Sequence, residues 1–418
     1  MSTYVTCSRS EQRKRILFVA EAATLAHVVR LIVLAKTLDQ DKHQIHFACT
    51  KGYEHCLNGL RFTFWPLHSI TQQQFLNAIA KGITPYTEKI LNRYLKDDFQ
   101  IIDSIRPDLI IGDNRFSLAI SAPVKRIPYV TLTNAHWSPY SPLTRIPMPI
   151  PEHPLVNLIG LTLAKFLAPW FQALSFKRFA APVNRLRKKH GLSEIGNLIH
   201  VLTQPGEYTL YADTPGFSPT VNLPPNHRYI GPILWFPETG TPAWWHTLPR
   251  DRPCVYVTFG SSGQVDLLPL VINALSTFPV NVLVATAGRL KLDALPTNVW
   301  SADYLPGTLA AQRARLVVCN GGSGTVHQAL AAGVPVLGIA SNMDQHLVMK
   351  CVTRVSAGLL LRAGQTTCIR IKKAVTTLLE KADYQASARS IAEEFPKYDV
   401  TREFPNFVAE VLGKQNSR

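Results

Sequence analysis

Short runs of β-branched and aliphatic residues alternate with helix-like stretches, and they do so twice, on either side of a tract crowded with proline and glycine. In the first half, residues 16–20, 44–49, 108–112 and 129–132 read as strands, and 26–38 as the helix after the first of them. In the second half the strands fall at 255–259, 280–286, 316–319 and 334–340. Between them, residues 223–253 carry Pro224, Pro225, Gly231, Pro232, Pro237, Gly240, Pro242 and Pro249, the composition of a connection between domains. Strands alternating with helices call for a parallel sheet covered on both faces. The chain is therefore expected to be an α/β protein of two Rossmann-like domains facing a cleft. An N-terminal domain at 1–232, a linker at 233–249 and a C-terminal domain at 250–395 are expected, with a helix at 396–418 placed to pack back on the first domain. A length of 418 residues suits two cores better than one.

Composition narrows the setting. Lysine and arginine exceed aspartate and glutamate by 16, a positive surface that favours phosphates or anionic membranes. The charge sign does not choose between these and nucleic acid, although no nucleic-acid partner is expected. Seven scattered cysteines, without a CxxC pair, suit a reducing cytoplasm and offer no zinc site. The first fifteen residues are polar and basic, and the apolar run after them is broken by Glu21, His27 and Arg30, unlike a signal peptide. No stretch has the ~18 uninterrupted apolar residues of a spanning helix. A helical region at 155–190 combines Phe166, Trp170, Phe171 and Phe176 with the basic run 185–189. It reads as a partly buried helix with a solvated basic end, and alternatively as a peripheral membrane contact.

The stretch 316–325 (LVVCNGGSGT) sends a strand into three glycines and then a helical pattern. Glycine lets the main chain approach an anion closely, and unpaired N–H groups at a helix start favour negative charge. Ser323 and Thr325 add hydroxyls to Gly321, Gly322 and Gly324. Taken alone, such a loop is equally a plain strand-to-helix turn. A second glycine turn, 260–263, also follows a strand, so both loops belong to the carboxyl edge of one sheet, where ligands bind. The stretch 342–345 (NMDQ) follows the strand ending near 340, and its pair Asp344 and Gln345 reads as sugar-hydroxyl ligands or as a helix cap.

These segments together resemble the UDP-glycosyltransferase family of GT-B fold, which includes bacterial macrolide and plant secondary-metabolite enzymes. The resemblance runs through 228–233 (RYIGPI), 255–263 (VYVTFGSSG), 295–299 (LPTNV) with 304–306 (YLP), 321–325 (GGSGT), 332–335 (AGVP), 344–345 (DQ) and 357–358 (AG). It implies that Tyr304 stacks on the nucleotide base, that Ser261 and Ser262 meet phosphate, and that Asp344 and Gln345 hold donor-sugar hydroxyls. Tyr304 is alternatively a core aromatic. Asn320 stands where the family usually has histidine, so a neutral amide replaces a charged donor to the diphosphate. Arg289 is a candidate replacement cation. Val348 stands where the family carries a further asparagine.

Inverting transfer needs a base for the acceptor hydroxyl, and histidine suits that task near neutral pH. His27, just after the first strand, resembles the histidine of the family's Gly-His motif, with Ala26 for glycine and Arg30 where proline is common. Asp113, closing 106–113 (RPDLIIGD), is its candidate orienting carboxylate, with a turn or capping aspartate as the alternative. The expected activity is transfer of a sugar from a nucleotide sugar, by default a UDP-sugar, to a hydroxyl of a small or lipophilic acceptor. No metal and no other cofactor is expected, and 39–41 (DQD) reads as a solvent-facing helix end. Two rivals stay open: a degenerate nucleotide-sugar-binding protein, and a nicotinamide-dependent oxidoreductase. The second lacks its glycine turn, since 20–24 reads AEAAT.

Overall fold

A computed structural model describes residues 13–145, 147–235 and 240–416. The first sheet comprises β1 (Lys14–Ala20), β2 (His43–Cys49), β3 (Thr63–Pro66), β4 (Leu109–Asp113), β5 (Tyr129–Thr133), β6 (Tyr208–Tyr211) and β7 (His227–Tyr229). The second comprises β8 (Cys254–Thr258), β9 (Asn281–Ala285), β10 (Val299–Ala302), β11 (Ala314–Cys319), β12 (Val336–Ala340) and β13 (Gly358–Arg362). Every pairing is parallel, in the orders β3-β2-β1-β4-β5-β6-β7 and β10-β9-β8-β11-β12-β13. Strand order therefore reverses between β1 and β4 in one sheet and between β8 and β11 in the other. Ligands of open parallel sheets sit at the carboxyl ends beside such a reversal.

The central strands carry buried apolar runs, such as residues 16–20 of β1 and 316–319 of β11, because both of their faces are covered. Ile16 and Phe18 of β1 pack with Leu31, Ile32 and Ala35 from the helix Leu25–Lys36. The same core takes in Phe404, Phe407, Val408, Val411 and Leu412 of the terminal helix Val400–Asn416, which crosses back to the first sheet. Two apolar layers cover the second sheet, one including Val326, Ala329 and Leu330 and the other Leu268, Val271 and Ile371.

The proline- and glycine-rich tract is not all connection, because His227–Tyr229 within it pairs with β6 as the seventh strand. Residues 236–239 of the expected linker, and 417–418 of the expected terminal helix, lie outside the described residues. The expected helical region at 155–190 is broken at Gly160, whose φ of 80° separates Pro154–Ile159 from Leu161–Lys189. No helix among the described residues is long and apolar enough to cross a membrane.

Two buried histidines tie stability to pH. Burial pulls His227 from its ordinary 6.5 down to about 4. Burial, with Arg362 and Lys350 nearby, does the same to His346. Below pH 6.5 the unfolded chain binds protons at these sites more readily than the fold does. Their contribution is thus complete above 6.5 and shrinks as pH falls toward 4, by about 3 kcal/mol for each. Urea midpoints should drop between pH 7 and 4.5, and less steeply in His346→Asn; equal slopes would contradict this assignment.

Candidate active site

Each reversal of strand order carries residues singled out from the sequence. His27 lies in the first turn of the helix after β1, and Asp113 is the last residue of the neighbouring β4. The β1 and β4 edges are joined where the Glu21 N–H donates to the Asp113 carbonyl at 3.1 Å. His27 Nδ1 lies 2.8 Å from Asp113 Oδ1. A carboxylate accepts, so Nδ1 carries the proton and Nε2 is left as the basic nitrogen. The Asp113 side chain is 1% exposed and that of His27 21%, so the carboxylate is fixed while the imidazole reaches solvent.

Arg30 completes this cluster. Its Nε and Nη2 donate to the two oxygens of Asp113, each at 2.9 Å, and Nη1 donates to Asn134 Oδ1 at 2.7 Å. A bidentate guanidinium fixes the plane of the Asp113 carboxylate. Asn134 Nδ2 in turn donates to Asp213 Oδ2 at 3.1 Å, and Asp213 Oδ1 lies 3.1 Å from His327 Nε2. Asp213 belongs to the N-terminal half, whereas His327 sits on the helix Ser323–Ala331 that follows the phosphate-type loop. An unbroken polar chain therefore joins the histidine–aspartate pair to the opposite lobe. Asp213 is fully buried. Burial alone raises its pKa, but the bonds and attraction from His327 outweigh that and hold it below the ordinary carboxylate value.

Across the cleft, the helix Ser323–Ala331 starts at Gly322 with no side-chain cap. The first-turn N–H groups of Ser323, Gly324 and Thr325 are therefore available to an anion. Gly321 has φ of 79°, and a Cβ there would come within 2.7 Å of Met349 Cγ, so this position admits only glycine without displacement. Asn320 is turned inward and is 4% exposed. Its Oδ1 accepts from the Gly322 N–H at 3.1 Å and its Nδ2 donates to Ser262 Oγ at 3.4 Å. It thus shapes the loop and ties it to the neighbouring glycine turn. Arg289 is likewise engaged, donating from Nη1 to the carbonyls of Gly260 and Gly263 at 3.2 and 2.8 Å.

Tyr304 is 46% exposed, which removes it from the core, and its hydroxyl donates to the Ala287 carbonyl at 3.3 Å. Ser261 receives a bond on its carbonyl from Gln72 Nε2 of the other lobe, at 2.6 Å. Asn342 caps the helix Met343–Arg354 in a capping box with Gln345, whose Oε1 serves the cap and whose side chain is buried. The cap uses only the Gln345 oxygen, while its buried Nε2 has no hydrogen-bond partner among the described residues, and Asp344 faces the other lobe. Asp344 Oδ1 lies 3.0 Å from His136 Nε2 and accepts from Trp137 Nε1 at 2.8 Å. Crowding by protein favours the neutral acid, but these two partners and the charge of Arg30 outweigh it and hold the carboxyl down to about 2. The stretch 39–41 is a solvent-facing turn in which Asp39 accepts from the Asp41 N–H at 2.9 Å.

His136, Trp137, Asn134, Asp213 and His327 were not picked out from the sequence. A signal existed for the first three. Residues 134–137 (NAHW) follow directly on the strand expected at 129–132, the same position relative to a strand that marked Asp113. Asp213 and His327 carried none, since each acquires meaning only from the other, 114 residues away.

Comparisons with known proteins bear on the family and the fold. Residues 270–411 match the model for the C-terminal domain of erythromycin biosynthesis protein CIII-like proteins. A PGL/p-HBAD biosynthesis glycosyltransferase of Mycobacterium tuberculosis is 47% identical over 92% of this chain and 89% of its own length. A PGL/p-HBAD biosynthesis rhamnosyltransferase of Mycobacterium bovis is 45% identical over 96% of this chain and 88% of its own. Among solved structures, the spinosyn rhamnosyltransferase SpnG complexed with thymidine diphosphate covers 95% of this chain and 100% of its own with a TM-score of 0.68. Its identity is 16%, so the likeness is one of fold. On these grounds the chain belongs to the glycosyltransferase family that includes the mycobacterial PGL/p-HBAD enzymes, built as two facing parallel-sheet domains of the GT-B kind.

Proposed function

We propose that this glycosyltransferase moves a sugar, with inversion, from a pyrimidine nucleoside-diphosphate sugar to a hydroxyl of a lipophilic acceptor. The observation that carries the reading is the 2.8 Å contact between His27 and a buried Asp113, across the cleft from an uncapped helix start. His27 Nε2 takes the acceptor proton as the hydroxyl oxygen attacks the anomeric carbon. The bond from that carbon to the diphosphate breaks on the far side, and the departing oxygen keeps its electron pair. The N–H groups of residues 323–325 receive that charge, with no reorganisation at the moment of reaction. Asn320 contributes by holding the loop open rather than by charge. Tyr304 offers its exposed ring to the base, and Ser261 and Ser262 stand beside the phosphates.

Asp344 is the ligand for a donor-sugar hydroxyl, released from His136 and Trp137 when the sugar enters. The reaction as drawn uses no metal. Uridine is the base implied by the wider family resemblance, and the thymidine diphosphate in SpnG supports a pyrimidine. The named activities of the relatives support hexose or deoxyhexose transfer. We place the enzyme in the cytoplasm, at the inner face of the membrane. Removing the His27 imidazole separates transfer from donor binding and so tests the reading.

A further inference from the structure

We infer that the outward face of the helix Leu161–Lys189, with the short helix before it, docks on an anionic lipid surface. Ala164, Ala168, Gln172, Phe176 and Ala180 recur every fourth residue and form the buried stripe of this helix. A surface helix normally turns polar residues outward. Here the opposite face is apolar too, with Leu163 47% exposed, Phe166 76%, Trp170 78% and Leu174 47%, at spacings that stack them in one row. Phe171 lies beside the row at 65%, and Leu158 of the preceding helix is 81% exposed. Single exposed apolar residues need no explanation, but a contiguous row with two large aromatics does.

Charge selects the occupant. Between Glu152 and Glu194 the chain has seven lysines and arginines and no acidic residue. Near the end of the helix, Arg185 and Lys189 pair with Glu88, and Lys188 with Glu194. Lys177 and Arg178 are exposed on the two sides of the apolar row. A second copy placed face to face by a two-fold axis would set these cations against their own kind. An anionic headgroup layer instead meets the cations while the aromatic rings enter the boundary below it, the arrangement of an interfacial helix. The face lies on the lobe that carries His27, so docking brings the base to the surface where a lipophilic acceptor resides.

That last consequence rests on the proposed acceptor class, whereas docking itself is measured with neither donor nor acceptor. Its failure would leave the transferase reading standing. The full chain is sedimented with phosphatidylcholine vesicles and with equimolar phosphatidylcholine–phosphatidylglycerol vesicles. Binding to the anionic vesicles is expected, weakened about tenfold or more in the zwitterionic ones and by raised salt. Phe166→Glu with Trp170→Glu should abolish it at an unchanged melting temperature, and Lys177→Glu with Arg178→Glu should weaken it about tenfold or more. Three results would overturn the inference. The first is no binding of the wild type to either vesicle, and the second is unchanged binding of the aromatic double variant. The third is a wild-type dimer in sedimentation velocity that the same double variant dissolves.

Discussion

His27→Ala should lower kcat by about 10²- to 10⁴-fold at neutral pH while the dissociation constant for the nucleotide sugar stays within about twofold. A positioned base removes the acceptor proton within the transition state, a task water performs poorly for an alcohol. The Nδ1 proton is held by Asp113, Asp113 is held at both oxygens by Arg30, and the imidazole therefore presents Nε2 without having to reorient. In the proposed mechanism the donor contacts come from the other lobe, from the loop at 320–325 and its neighbours, so the deletion leaves them in place. Steady-state kinetics with a soluble hydroxylated acceptor, alongside calorimetric donor binding, reads both quantities. Activity within threefold of wild type would show that another group accepts the proton. Equal loss of donor binding would show that His27 holds the cleft together rather than doing chemistry.

Arg115→Met should destabilise the protein by about 3 to 5 kcal/mol. Arg115 is a fully buried guanidinium, 3.4 Å from Glu21 Oε2 and 3.0 Å from Asp98 Oδ1, both of them buried as well. Its Nη1 also donates to the His68 carbonyl at 2.6 Å, and its plane lies 3.7 Å from the centre of the Tyr94 ring. Methionine fills much of that volume but leaves two carboxyl groups in the core without their cation. Burial already raises the pKa of Glu21, with Arg115 the main opposing influence, so its loss drives Glu21 toward the neutral acid. Urea unfolding followed by circular dichroism measures the cost. A change below about 1 kcal/mol would mean that the two acids are satisfied without the arginine. Glu21 directly follows β1, so catalytic geometry should suffer together with stability, unlike in the His27 variant.

What could be read from the chain, and what could not, follows from where each residue gets its information. Residues 16–20, 255–259 and 316–319 announce themselves because a strand buried on both faces has to be largely apolar. Edge strands escape that demand. Thr63–Pro66 is only half-buried, and His227–Tyr229 is three residues long in a proline-rich setting, so neither shows a pattern. His27 and Asp113 were legible because a polar residue just past a buried strand is placed at the ligand edge by the fold itself. Gly321 was legible for a backbone reason that any neighbour would impose.

Side-chain direction was not legible. An asparagine at 320 offers an amide to either a phosphate or its own loop, and only the structure shows its oxygen accepting from the Gly322 N–H and its Nδ2 beside Ser262. Gln345 likewise reads as a sugar ligand or a cap, and the structure shows its oxygen in the Asn342 cap with its Nε2 left without a hydrogen-bond partner among the described residues. Contacts between lobes were the least accessible, since Asp344 and His136 are 208 residues apart and neither sequence neighbourhood refers to the other. Arg30 was visible only as a residue in place of a common proline. Its function in clamping Asp113 required the two strand ends to be set side by side.

The most direct measurement is an electron-density map of the protein crystallised with a pyrimidine nucleoside diphosphate. The diphosphate oxygens should lie within hydrogen-bonding distance of the N–H groups of Ser323, Gly324 and Thr325, with the base against Tyr304 and His27 Nε2 facing the space where the anomeric carbon would be. A diphosphate bound away from that helix start, or a His27 ring turned out of the gap between the lobes, would contradict the account.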